Sequence, residues 1–161
     1  MTVTFARKRS KAGSLYETDF HRWADEQARA VREGRGTDVD WENVAEEIES
    51  LGRSDRHALH NHLENLIAHL LKCIVQPERR TASWDATIRE QRKRIGQLVQ
   101  RNPSLRTVPK EYYGTAYQEA VWRAVRDTGY AEDAFPQASP FTLDEVLDPG
   151  FLPGSSEGKG R

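Results

Sequence analysis

Apolar residues recur at intervals of three and four along most of the chain, with polar residues between them. That spacing places apolar side chains on one face of an α-helix, because an α-helix has about 3.6 residues per turn. No stretch alternates apolar and polar residues for long enough to predict a β-strand. The pattern therefore predicts an all-α protein, an antiparallel helical bundle of about five helices with an irregular C-terminal wrap.

The apolar spacing, together with residues that favour helix ends, predicts where each helix lies. Gly34 and Gly36 close the first helix, and Thr18 or Ser14 is expected to cap its start. Gly52 separates the second helix from the third, and whether it breaks or only bends one longer helix stays open. The five predicted helices cover residues 15–32, 41–51, 54–75, 84–101 and 109–128.

The third predicted helix has the richest apolar stripe and is expected to form the centre of the core. Gly129 is expected to end the fifth helix. The following residues, 135–153, are rich in proline and aromatic residues, and Thr142 and Glu145 have the spacing of a capping box. We expect this segment to wrap over the bundle. The central stripe consists of Leu59, Leu63, Leu66, Ile67, Leu70 and Ile74.

The length of 161 residues suits a single domain. Residues 1–13 contain four basic side chains without an apolar run after them, so we expect a disordered basic arm and not a secretory signal. Residues 154–161 are rich in glycine and serine, which predicts a disordered tail. The helical-bundle domain is therefore expected to occupy residues 14–153.

Composition and charge exclude several classes of protein. No run of about 18 apolar residues is present, so no membrane-spanning helix is expected. The single cysteine, Cys73, excludes an internal disulfide and a cysteine-based zinc site, and a lone thiol suits the reducing cytoplasm. The formal net charge of -1 predicts no overall attraction to polyanions.

Several short runs of sequence, in a fixed order, are typical of one bacterial family. They include Leu-Tyr-Glu-Thr-Asp at 15–19, Glu-Glu-Ile-Glu-Ser-Leu-Gly-Arg-Ser at 46–54, His-Leu-Leu-Lys at 69–72 and Phe-Pro at 135–136. Over residues 15–153 the chain resembles the family described as domain of unknown function twenty-nine. The resemblance implies a compact cytoplasmic helical bundle, and it brings no established activity and no catalytic positions. Cys73 stands where the family pattern has tryptophan, which argues against a family-wide role for a thiol.

The histidines do not have the spacing of a metal site. The chain lacks the Glu-x-x-His pairs of di-iron bundles and the His-Glu-x-x-His run of zinc proteases. His62 and His69 share one side of a helix, but two helical turns separate them by roughly 10 Å, too far for one ion. We expect each to be a half-buried histidine that hydrogen-bonds to a neighbouring helix, and we predict no metal and no cofactor.

Catalytic groups are equally sparse. No serine lies in the strained turn of a nucleophile elbow, and we expect Ser54 and Ser83 to cap helices. Glu47 borders an apolar face, and with Asp19 and His69 it forms a candidate buried polar cluster. We expect that cluster to fix the register of the bundle, and a ligand or catalytic pocket is the weaker alternative. No catalytic residue is assigned.

Charge is segregated along the chain, and this is the most informative functional signal. Residues 72–110 carry ten basic and three acidic side chains, whereas 37–50 carry six acidic and no basic ones. We expect these blocks to neutralise each other within the fold or across a dimer. The alternative is a basic face, aided by the basic arm, that contacts nucleic-acid phosphates. Its candidate contacts are Arg79, Arg80, Arg89, Arg92 and Arg94.

Trp122 lies nearly opposite the apolar face of the fifth predicted helix. If it is exposed, it is a natural anchor for a protein partner or a second subunit. The missing catalytic motifs and the segregated charge together favour a non-enzymatic protein-protein interaction or regulatory domain. Nucleic-acid binding through the basic face remains the alternative hypothesis.

Overall fold

The computed structural model describes residues 12–154, with side chains from residue 15 onward. It contains no strand among these residues, so the predicted all-α bundle is confirmed. The chain divides into two compact units, Met1–Arg53 and Ser54–Arg161. Its helices are α1 (Ala12–Thr18), α2 (Phe20–Arg32), α3 (Trp41–Val75), α4 (Ala82–Arg101), α5 (Val108–Thr128) and α6 (Leu143–Leu147).

Two predicted segments fall at the limits of the described residues. The basic arm predicted for residues 1–13 lies outside them, apart from its last two residues, which begin α1. The tail predicted for residues 154–161 also lies outside them, apart from Gly154. Both segments therefore stay predictions.

The first predicted helix is two helices, separated at Asp19. The Asp19 carboxylate accepts a hydrogen bond from the backbone N–H of Arg22 at 3.1 Å and so caps α2. The caps predicted at Thr18 and Ser14 are wrong, because aspartate is among the best N-cap residues and its non-helical backbone ends α1 first. The predicted C-terminal end of this helix is confirmed, since Gly34 follows α2 with a φ of 68°.

α3 runs without interruption for 35 residues and includes Gly52. Of the two alternatives left open at Gly52, the structure has one longer helix and no break, and Ser54 is an interior residue and not a cap. A glycine inside a helix costs only about 1 kcal/mol relative to alanine, which the good helix formers on both sides outweigh. The division between the two compact units falls within this helix.

The hydrophobic core lies in the unit Ser54–Arg161. The predicted central stripe is confirmed, because its five residues from Leu59 to Leu70 are fully buried and Ile74 is half-buried. Each such large aliphatic side chain stabilises the fold by about 1.5–3 kcal/mol. The residues packed around them from the other helices and the C-terminal segment include Ile88, Ile95, Ala116, Ala120, Ala124, Phe135, Phe141 and Val146.

The helix ends in this unit follow the predicted chemistry with one exception. Thr81 caps α4 by accepting a hydrogen bond from the backbone N–H of Trp84, so the cap predicted at Ser83 is wrong by two residues. Gly129 ends α5 with a φ of 74°, as predicted. The predicted capping box of Thr142 and Glu145 is also confirmed at the start of α6.

Hydrogen bonds from two tyrosines fasten the C-terminal segment to α5. The Tyr117 hydroxyl donates to the carbonyl oxygen of Pro136 at 2.6 Å, and the Tyr113 hydroxyl donates to that of Phe141 at 2.6 Å. Tyrosines can be buried in this way because each hydroxyl finds an acceptor. The segment therefore packs over the helices of its unit, which confirms the predicted wrap.

Candidate functional site

The unit Met1–Arg53 exposes several large apolar side chains. Phe20 and Val31 are about half exposed, at 49% and 50%, and Ile48 and Leu51 are 65% and 71% exposed. A single exposed apolar residue is ordinary, but neighbouring ones indicate a binding surface. Their helical spacing places them on the apolar faces of two helices, and in this unit those faces are partly exposed.

These four side chains line one open groove of about 560 Å³ between α2 and the N-terminal half of α3, which we call the α2–α3 groove. Its polar lining is limited to Gln27, Arg32 and Glu47. The remaining lining is therefore apolar or aromatic, as in the contact surfaces of proteins that bind helices. Its apolar walls include Phe20, Ala24, Ala28 and Val31 from α2, and Val44, Ile48 and Leu51 from α3.

Aromatic packing and two hydrogen bonds set the position of the groove walls. The rings of Tyr16, Phe20 and Trp23 contact one another with centroids 4.8–5.8 Å apart. The Tyr16 hydroxyl donates to the Glu47 carboxylate at 2.5 Å, and this hydrogen bond raises the pKa of Tyr16 to about 12. The side-chain oxygen of Gln27 accepts from the backbone N–H of residue 40 at 2.7 Å. These contacts hold α2 against α1 and α3 while the groove stays open.

The three residues of the predicted polar cluster, Asp19, Glu47 and His69, each have other partners within their own unit. Asp19 is exposed and caps α2, so it is not part of a buried cluster. Glu47 instead accepts the tyrosine hydrogen bond described above. His69 is half-buried, with Nδ1 2.9 Å from the carbonyl oxygen of Asn65 and Nε2 3.4 Å from Nζ of Lys72. The prediction is wrong because the start of a helix uses the aspartate as a cap.

The two histidines of interest on α3 have different partners. His62 meets the side-chain oxygen of Gln91 on α4 at 2.7 Å, as the expected hydrogen bond to a neighbouring helix. His69 hydrogen-bonds within its own helix, so that expectation is wrong for it. Burial lowers the pKa of His69, and the nearby Lys72 ammonium lowers it further. The neutral imidazole is therefore the form that this site favours.

Arg92 is buried, and its guanidinium points into the protein. Its Nε donates to the carbonyl oxygen of Val146 at 2.8 Å, and Nη2 donates to that of Glu145 at 3.4 Å. The carbonyl groups at a helix C-terminus have no partners within the helix, so the arginine satisfies those of α6. Arg92 is therefore wrong as a surface contact for nucleic acid.

Two of the other four candidate arginines pair with acidic residues of α4; Arg94 is on that helix and Arg80 lies just before it. Both acids belong to the basic segment itself, so the expected neutralisation by residues 37–50 stays a prediction. Arg79 and Arg89 are exposed. The ion pairs are Arg80–Asp85 at 2.9 Å and Arg94–Glu90 at 2.8 Å.

Trp122 is 60% exposed. Its expected role as an anchor for a partner required such exposure. It borders a second, smaller groove of about 330 Å³ on the unit Ser54–Arg161, whose other lining residues are all charged. The Arg123 guanidinium donates to the Glu64 carboxylate at 2.7 Å there, so charges of opposite sign already meet. A surface with one aromatic side chain offers less apolar area than the α2–α3 groove.

The described residues were also compared with the requirements of a metal site, a membrane-spanning helix and a reactive thiol. Among residues 15–154, no three His, Cys, Asp or Glu side chains come together as ligands of one metal ion would. None of the helices in the described part has both the length and the apolar character needed to cross a membrane. Cys73 is buried, and burial raises the pKa of its thiol, which lowers its reactivity.

The fold and the groove define an all-α helical domain that presents an uncovered apolar surface between two of its helices. The chain belongs to the family described as Domain of unknown function DUF29, whose family model matches residues 15–152. No curated protein matches the chain, and no solved structure matches it. The family suggested by the short sequence runs is thus confirmed, and membership in it assigns no function.

Proposed function

We propose that this protein is a non-enzymatic protein-interaction domain that binds its partner in the α2–α3 groove. The observation that carries this proposal is the cluster of exposed apolar side chains that line one open groove of about 560 Å³. Apolar surface in water is unfavourable by about 25 cal/mol for each Å². Covering the groove with another apolar surface therefore provides a driving force for association.

The occupant we propose is the apolar face of an α-helical segment. A groove between two adjacent helices accepts a further helix, which inserts side chains at positions i, i+3 or i+4, and i+7. Ala24 and Ala28 leave space for larger side chains on the visiting helix. Arg32 and Glu47 line the groove and offer one charge of each sign to polar residues flanking that face.

The groove replaces Trp122 as the principal contact in this proposal, because Trp122 stands among charges that already have partners. Nucleic-acid binding has less support from the structure than from the charge pattern of the sequence, since Arg92 is buried and Arg80 and Arg94 form ion pairs. We place the interaction in the cytoplasm, because one free, buried thiol suits a reducing compartment.

Photo-crosslinking in cells of the source organism tests the proposal. A photoreactive phenylalanine analogue at position 48, which is 65% exposed, should give discrete protein adducts on illumination. Adding Leu51→Glu should abolish these adducts, because it puts a charge on the apolar wall of the groove. The unfolding midpoint should not fall, since Leu51 is 71% exposed and a surface substitution changes stability by about 0.5 kcal/mol or less.

Trp122→Glu serves as the matched control, because it also puts a carboxylate in place of an exposed apolar side chain. The adducts at position 48 should survive that change. Illumination without any adduct, or adducts that persist with Leu51→Glu, would show that the groove is not a binding site.

A further inference from the structure

We infer that the occupant of the α2–α3 groove is the same groove of a second copy of this chain. The two α2–α3 pairs would pack face to face as a four-helix bundle, related by a twofold axis parallel to the helices. This inference rests on the proposed function and names the partner. Three features of the groove support it: its apolar area, the spacing and size of its side chains, and the charges at its ends.

The apolar area matches what a weak, transient homodimer needs. Phe20, Val31, Ile48 and Leu51 are 49–71% exposed. A large apolar side chain has about 60–120 Å² to bury, since its burial is worth about 1.5–3 kcal/mol at about 25 cal/mol for each Å². Two copies would then bury roughly 300–550 Å² of this surface. Because apolar atoms make up about 56–65% of an interface, the total is about 450–1,000 Å², the size of weak and transient interfaces.

The spacing of the groove residues suits a bundle. On α3 the apolar lining positions 44, 48 and 51 are four and three residues apart, and on α2 the lining positions 20, 24, 27 and 31 are four, three and four apart. Alternation of three and four gives a mean of 3.5, the repeat of helices that pack nearly parallel or antiparallel. A second copy presents the same repeat over the same length.

Side-chain size also matches between the two walls. The α2 wall has the small residues Ala24 and Ala28, whereas the α3 wall has the large residues Ile48 and Leu51. With the twofold axis parallel to the helices, α2 of each copy faces α3 of the other. The small residues of each α2 wall then lie against the α3 wall of the other copy. An axis perpendicular to the helices would set alanines against alanines and leave a void.

Charge complements this arrangement. Tyr16 contacts Glu47 and Gln27 contacts residue 40, so α2 and α3 run in opposite directions. The last turn of α2 in one copy therefore lies beside the first turn of α3 in the other. The α2 end carries Arg29 and Arg32, and the α3 start carries Glu42. Opposite charges at the matching ends are compatible with this pairing.

Sedimentation of the full chain between about 1 and 200 µM tests the inference. The wild type should change from monomer to dimer within this range, as expected for an interface of modest size. Ile48→Glu should stay monomeric, with a dissociation constant raised at least about 100-fold, because the charge would be buried at the centre of the interface. Trp122→Glu should dimerise as the wild type does. Far-UV circular dichroism should be the same for all three.

Cysteine crosslinking tests which helices face each other. Chains with Ala24→Cys and chains with Ile48→Cys are mixed and treated with a short bismaleimide. The native Cys73 is buried and serves as the unreactive background in both variants. More crosslinked dimer in the mixture than in either variant alone would support the pairing of α2 with α3 of the other copy. More crosslinked dimer from Ile48→Cys chains alone than from the mixture would overturn it.

The failure of this inference can be distinguished from failure of the proposed function. A wild type that is monomeric at 200 µM would overturn the homodimer. If the cellular adducts at position 48 then have masses other than two chains and disappear with Leu51→Glu, the groove still binds a protein. If they are also missing, both proposals fail.

Discussion

At the scale of single residues, the unit Ser54–Arg161 places charged side chains in its interior and gives each a nearby partner. Lys72 is buried, and its ammonium lies 3.4 Å from the Asp127 carboxylate and 4.9 Å from the centre of the Trp84 ring. Arg92 donates to the carbonyl oxygens that end α6. A charge in the interior is tolerated only with such partners, because burial removes its hydration.

His69 gives a prediction about pH dependence. Burial lowers the pKa of its imidazole in the folded protein, Lys72 lowers it further, and Asp127 and Arg123 on α5 act on it with opposite signs. The unfolded chain therefore takes up a proton near the ordinary pKa of about 6.5, before the folded protein does. The free energy of unfolding should fall as the pH drops below about 6.5, and it should be independent of this group above that value.

His69→Gln isolates the effect, because glutamine is polar and does not titrate. Urea unfolding between pH 5 and pH 8 should show a smaller loss of stability at acid pH in the variant than in the wild type. The other histidines are present in both proteins, so the difference between the two curves reports His69 alone. Parallel curves across this range would show that His69 does not titrate differently in the folded and unfolded states.

At the scale of helices, the continuity of α3 depends on the tolerance of a helix for glycine at position 52. A Cβ placed on Gly52 would meet no atom within 4 Å, and the residue is exposed. Glycine is therefore not required there by close packing. Gly129 differs, because its φ of 74° is strained for any residue with a side chain.

Gly52→Ala should raise the free energy of unfolding by about 0.5–1 kcal/mol, because alanine loses less backbone entropy in a helix. Gly129→Ala should lower it by about 1 kcal/mol, since it forces a side chain into the left-handed region. Both variants are compared with the wild type by urea unfolding followed by far-UV circular dichroism. A destabilised Gly52→Ala would indicate that the helix needs flexibility at that position.

At the scale of the whole molecule, buried apolar residues are distributed unevenly. Both hydrophobic clusters of the described chain lie within the unit Ser54–Arg161. Among residues 15–53, the buried apolar side chains are Trp23, Ala30 and Val39. Since burial of apolar surface provides most of the stabilising free energy, the two units should differ in local stability.

Hydrogen exchange should show this difference directly. Amides of α2 should exchange by local opening, at a lower free energy than those of residues 63–71 in α3, which should open only with global unfolding. Mass spectrometry after pepsin digestion measures both regions in one sample. Equal protection of α2 and residues 63–71 would contradict the expectation that the smaller unit opens by itself.

The sequence determined the local features of this protein. The spacing of apolar residues set the helices and the central stripe from Leu59 onward, and Gly129 and the Thr142 capping box set two of their ends. These features depend on contacts within a few residues, so one sequence is enough to predict them. Family membership was also visible, because it rests on short runs of residues. The start of α2 was not predicted correctly, because Thr18 and Asp19 are neighbours and both residue types favour the N-cap position.

Only the tertiary structure decided which apolar faces are covered. Periodicity shows that Phe20, Val31, Ile48 and Leu51 share helix faces suited to burial, and the same pattern results whether the cover comes from the chain itself or from another protein. Likewise, charge counts could not separate the buried Arg92 from the exposed Arg89. Burial depends on residues far away in sequence, so the candidate site became visible only once the helices were packed.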